Sequence, residues 1–148
     1  MTSLSSKDDG SSIDKFVGTS TRDGFGTVTP YLLVCEDHID DFLTFLSTGF
    51  DAKETHRSKG SGGGWHIEMK LGQGEVGGQI MIGTATKTTV PITLFLYVER
   101  VDEVFQAAVA AGAKPQMLVQ DGFAGETSRG GSVVDPFGFT WYLATETE

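Results

Sequence analysis

Apolar positions along this chain change period in a fixed order, and the order predicts an architecture. Residues 92–98 (Ile92, Thr93, Leu94, Phe95, Leu96, Tyr97, Val98) are β-branched, aromatic or aliphatic throughout, the composition of a strand covered on both faces. The spacing then turns helical. Val101, Val104, Phe105, Ala108 and Val109 fall at i, i+3, i+4, i+7 and i+8, one apolar stripe that Gly112 can end. A strand resumes at Lys114. The same unit stands earlier: Pro30 to Cys35 reads as a strand and Ile39, Phe42, Leu43 and Leu46 as a helical stripe. Gly49 closes that helix before an extended segment at 51–58. Subtracting Gly49 from Gly112, Phe42 from Phe105 and Leu46 from Val109 gives 63 each time, so the chain is built from two copies of one module.

Written out, the first module is strand 29–35, helix 37–47, strand 51–58, strand 64–71 and strand 77–83. Residues 84–90 link it to strand 92–98, helix 101–111, strand 114–119, strand 130–134 and strand 139–145. Trp65, Ile67, Met69 and Leu71 alternate with His66, Glu68 and Lys70, the period-2 signature of a strand with one apolar face. Glycine clusters at 60–64 and 72–74 mark turns. The expected class is α+β, two βαβββ modules with curved mixed sheets enclosing a cavity. The modules span 29–83 and 92–145 in a single domain, 28–148. A module this small leaves the second face of its sheet uncovered, so pairing is expected, within one chain or across two. Residues 1–27, rich in Ser, Thr, Gly and Asp, read as an arm without secondary structure of its own, with Phe16, Val17 and Phe25 as possible anchors.

Composition narrows the partners. With 148 residues, 39% of them hydrophobic, the chain buries a core without staples. Its net charge of -9 and the lack of a basic stripe argue against nucleic acid. A single cysteine, Cys35, makes no internal disulfide and reads as a buried thiol. No apolar run reaches the length of a membrane span, and no signal core opens the chain. The expectation is a cytoplasmic protein with no membrane partner.

Among chemistry-bearing residues, His66 and Glu68 lie two apart on one strand face, the geometry of an acid/base pair. The plainer reading is a solvent-wet polar face continued by Lys70. Thr93, Phe95 and Tyr97 share one face of the central strand and would make an aromatic wall with a hydroxyl handle. Trp141 is a candidate for stacking on a planar ligand or for the core. Glu126 and Arg129, in a Gly-rich loop, suggest a lid or a surface pair. His38 and His56 show no partner spacing, and Ser132 lacks a nucleophile elbow.

The layout, together with Thr29-Pro30-Tyr31-Leu32, Gly49-Phe50-Asp51-Ala52, Ala110-Ala111-Gly112-Ala113 and above all Asp135-Pro136-Phe137-Gly138-Phe139-Thr140-Trp141, resembles the vicinal oxygen chelate superfamily. That is the glyoxalase and bleomycin-resistance fold, in its PhnB-like branch, and the resemblance covers residues 28–145. It implies divalent-metal ligands on the first and last strand of each module, at Pro30, Gln79, Thr93 and Tyr142. None is a His, Asp or Glu, and a one-residue slip in either direction brings in none, so no metal and no other cofactor is expected. The branch's pattern of an aromatic followed by Gly-Asp-Arg-Tyr is replaced by residues 123–129, Phe123 to Arg129, and Phe139 stands where a histidine is common. The resemblance also implies a homodimer. The resulting expectation is metal-independent binding of a small molecule in the cavity, with Tyr97, Phe95, Thr93, Gln79, Trp141, Tyr142, Arg129 and Glu126 as ligand contacts. The alternatives are a metal-dependent lyase, isomerase or dioxygenase using His66 and Glu68, and a non-catalytic oligomeric scaffold.

Overall fold

A computed structural model of the chain describes residues 22–86 and 88–146. Strand β1 (Tyr31–Cys35) passes through a single 3-10 turn, Glu36–His38, into helix α1 (Ile39–Phe50). Strands β2 (Lys53–Lys59), β3 (Trp65–Leu71) and β4 (Gly78–Ala85) complete the first module. The second consists of β5 (Thr93–Tyr97), α2 (Val101–Ala110), β6 (Lys114–Asp121), β7 (Ser128–Val134) and β8 (Thr140–Glu146). Each module forms one four-stranded mixed sheet: order β1-β4-β3-β2 in sheet A and β5-β8-β7-β6 in sheet B. The first and last strands of a module run parallel and the remaining pairs antiparallel. The duplicated architecture is as expected, and Cys35 is a buried free thiol. The proposed anchors Phe16 and Val17 lie outside the described residues, whereas Phe25 is half-buried.

One expectation needs correction. Gly49 does not end the first helix. It sits buried inside α1 where that helix packs on α2, and a Cβ there would lie 3.5 Å from the Ala108 Cα. The left-handed residue is Asp51, φ 56°, whose amide donates to the Ser47 carbonyl while the Ala52 amide donates to Leu46. Aspartate tolerates that region better than most side chains. At the end of α2 it is Gly112 that takes positive φ, 118°, so α1 runs about two residues further before it is capped.

The helices, meanwhile, set how the two sheets face. One face of sheet A, carrying Leu32, Val34, Ile67 and Ile82, joins Phe42 and Leu46 of α1 in the core; Val133, Trp141 and Leu143 of sheet B join it with Phe105 and Ala108 of α2. Side chains of α1 reach into the second module: the Phe42 ring lies 5.2 Å from Phe139 and the Phe50 ring 4.9 Å from Trp141. Helices therefore occupy the space between the modules, and the opposite face of each sheet turns outward. Among the described residues the sheets are not closed on each other, which leaves the enclosure of a cavity to pairing across two chains. The cause is the continuous apolar stripe on both helices, which is buried most fully by packing helix on helix and each helix on its sheet.

Candidate functional site

Strand pairing decides which side chains share the outward face of each sheet. In sheet A, Met81 stands opposite Tyr31 on one side and Glu68 on the other, and Gly83 stands opposite His66. In sheet B, Tyr142 stands opposite Phe95 and Ser132. Met81 is thus the counterpart of Tyr142, Tyr31 of Phe95, and Glu68 of Ser132. The hairpin ends agree: Leu71 pairs with Gly78, and the Asp135 amide donates to the Phe139 carbonyl. The offset of 63 in the helices becomes 64 for β1/β5 and β3/β7 and 61 for β4/β8, the last drop because the turn at residues 72–77 is three residues longer than the one at 136–138.

Sheet A presents a charged cluster. Glu68 faces outward yet is only 1% exposed. One carboxylate oxygen accepts from the Arg22 guanidinium at 2.5 Å, and the other is 2.9 Å from His66 Nε2. The second imidazole nitrogen, Nδ1, lies 3.4 Å from the Tyr31 hydroxyl, and the His56 ring is 6.2 Å from that of His66. Arg22 holds the Glu68 carboxyl below the usual range, more than burial pushes it up, and His66 adds to the lowering. A Cβ at Gly83 would lie 2.6 Å from the Tyr31 hydroxyl and would push that half-exposed ring aside. His66 and Glu68 therefore do meet, and Glu68 is no solvent-wet surface residue. Arg22, Tyr31 and His56 were not picked out as partners by sequence. Arg22 lies in an arm with no periodicity, and the others carry no spacing signal along the chain.

Sheet B presents rings. Phe95 is 40% exposed, Tyr97 70% and Tyr142 38%. Phe95 lies 4.9 Å from Tyr97 and 6.1 Å from Tyr142, and Phe123 lies 5.6 Å from Tyr142. Thr93 is exposed on the same face. Beneath the rings Ser132 is buried, its hydroxyl donating to the Gln116 side chain at 2.8 Å.

The remaining sequence candidates lie elsewhere. Trp141 is a correction: it points to the helix side, is fully buried against Phe50, and donates its indole N–H to Asp135 at 2.8 Å. Arg129 is another: both Nε and Nη2 donate to Asp102 of α2, and Nη1 donates to Asp121, so it ties the helix start to the sheet. These carboxylates raise the pKa of the guanidinium further. Glu126 sits exposed in the turn before β7 and does not pair with Arg129. Gln79, half-buried on the face of sheet A, lies 3.5 Å from the Thr55 hydroxyl.

No family model matches the chain. The uncharacterized protein Mb0911c of Mycobacterium bovis is 33% identical over 127 residues, covering 78% of this chain and 80% of that protein. Among solved structures, the PhnB protein from Bacillus cereus superposes with a TM-score of 0.57 at 18% identity, over 80% of this chain and 98% of its own. A member of the glyoxalase/bleomycin resistance protein/dioxygenase superfamily from Sphaerobacter thermophilus gives 0.57 at 12% identity, over 80% and 97%. The chain belongs to the mycobacterial protein's family, within the vicinal oxygen chelate fold.

At the four positions that the resemblance marks, the side chains do not fit a divalent metal. The strand ladder pairs Tyr142 with Met81 as counterparts and so revises the pairing with Gln79, but methionine brings no harder donor to the position. Among the described residues no three His, Cys, Asp or Glu side chains are grouped to hold an ion. Glu68, the carboxylate nearest an imidazole, has one oxygen on Arg22 and the other on His66, and the guanidinium opposes a metal ion by charge while it stays in place. Among the described residues no helix is long and apolar enough to cross a membrane.

Proposed function

We propose that the chain is a metal-independent small-molecule-binding protein whose ligand, a planar aromatic compound, lies against the outward face of sheet B. The observation that carries this reading is the mutual contact of Phe95, Tyr97, Tyr142 and Phe123 on an open sheet face. Rings of that size are normally buried, and a contiguous exposed aromatic patch marks a binding surface. Offset or edge stacking on four rings favours a flat partner over an aliphatic one. The hydroxyls of Tyr97, Tyr142 and Thr93 at the rim supply the few polar contacts that orient such a ligand.

The same open face supports a homodimer, in which a second copy covers the rings and turns the face into a cavity. Light scattering at micromolar concentration tests this, and a monomer mass alone removes it. Binding is tested by a melting-temperature screen of neutral planar aromatics, repeated on Tyr97→Ala and Phe95→Ala. The expected result is a ligand-induced shift in the wild type that both variants lose. Shifts that survive in both variants place the ligand elsewhere. Near-stoichiometric zinc, nickel or iron in unstripped protein, lost on His66→Ala, overturns the metal-independent reading and supports an enzyme acting through His66 and Glu68.

A further inference from the structure

Glu68 poses a separate question. A carboxylate on an outward sheet face is ordinarily solvated, but this one is sealed, and the cation that seals it comes from outside both modules. The chain reaches the sheet through a tight turn: Gly24 takes φ +86°, and the Phe25 amide donates to the Arg22 carbonyl at 3.0 Å. That turn brings the Phe25 ring to 4.5 Å from the Arg22 guanidinium. A planar cation is thus held by an aromatic ring and by a carboxylate whose second oxygen His66 fixes. One carboxylate oxygen pairs with the guanidinium while the ring lies over its plane, a setting that suits a flat cation.

The occupant lies at the surface. Residues 22–24 and 26–28 are exposed, only Phe25 of the turn is half-buried, and the Arg22 side chain is 60% exposed against 2% for that of Glu68. Lifting the turn gives up the charge-assisted bond to Glu68 and opens that outward-facing carboxylate to water, with His66 as its remaining partner. An external cation therefore competes with Arg22 for the same carboxylate oxygen.

We propose that the outward face of sheet A holds a guanidinium-binding site, occupied in the free chain by Arg22, which a ligand joining a guanidinium or amidinium group to an aromatic ring displaces. Glu68 supplies the charge, His66 orients it, and the ligand's own ring takes the place of Phe25. The tether gives Arg22 a high effective concentration, so an external ligand binds the wild type more weakly than a chain lacking that side chain.

The test uses the full chain and benzylguanidinium as the probe, with methylammonium and sodium chloride at the same ionic strength as controls. Arg22→Ala should bind the probe more tightly than the wild type, and Glu68→Gln in that background should weaken it about tenfold or more. In the wild type, the probe should shift the Arg22 Nε–H resonance, a readout that stands even if Arg22→Ala folds poorly. Probe binding no tighter in Arg22→Ala, binding indifferent to Glu68→Gln, or an Arg22 resonance unmoved at saturation each overturns the proposal. The neutral aromatics that test sheet B carry no charge, so the two sites fail or stand independently.

Discussion

Glu68 and Ser132 occupy equivalent places in two copies of one module, and both are buried polar residues on the outward side of their sheets. Around Glu68 the face is charged and sealed by an arginine from the preceding arm. Around Ser132 it is aromatic and open. The difference shows what the repeated backbone constrains: strand order, helix packing and the in-or-out direction of each residue are held in common. Side chains that point away from the shared helical core are free to diverge. The one buried carboxylate of sheet B, Asp135, lies instead at the hairpin end. It accepts from the amides of Phe137 and Phe139 and from the Trp141 indole, and burial pushes its carboxyl up while these donors pull it down.

That contrast can be broken most severely at Asp135. Asp135→Ala strips acceptors from two amides and a buried indole N–H, and should cost about 3 kcal/mol or more of stability, measured by urea unfolding. Glu68→Ser, which puts the residue of the second module into the first, should cost about 2 kcal/mol, since a hydrogen bond to a charged group is lost. A cost as large as that of Asp135→Ala would mean that the sealed face is structural in the way the hairpin is.

The pH dependence should separate the two carboxylates by sign. Glu68 has a depressed folded pKa, so its contribution is present above the unfolded value and is lost as pH falls through the folded one. The melting difference between wild type and Glu68→Gln should therefore shrink toward zero on acidification. Asp135 has a raised folded pKa, so the native state takes up a proton first. Stability attributable to Asp135 should rise as pH falls toward and through the folded value. A Glu68 difference that grows on acidification would contradict the arrangement at sheet A. The smallest stability effect is expected at Tyr97→Ala, within about 0.5 kcal/mol, because its ring is mostly exposed. Its loss should nevertheless abolish binding of planar aromatics.

The duplicated frame is legible in the apolar pattern. Phe42 and Phe105, and Leu46 and Val109, repeat at one interval because a helix needs the same stripe wherever it packs on its sheet. His66 and Glu68 were legible as neighbours because alternate residues of a strand point the same way. The direction of Phe95 and Tyr97 was legible for the same reason. The remaining contacts come from packing between distant segments. Trp141 was ambiguous because a DPFG turn fixes where the strand starts but not which face an aromatic takes, and the Asp135 acceptor settles it. The partnership of Arg22 with Glu68 spans 46 residues and depends on an aperiodic arm. Its cause, the desolvation of a carboxylate that needs a cation, is a property of burial, and no spacing along the chain encodes it.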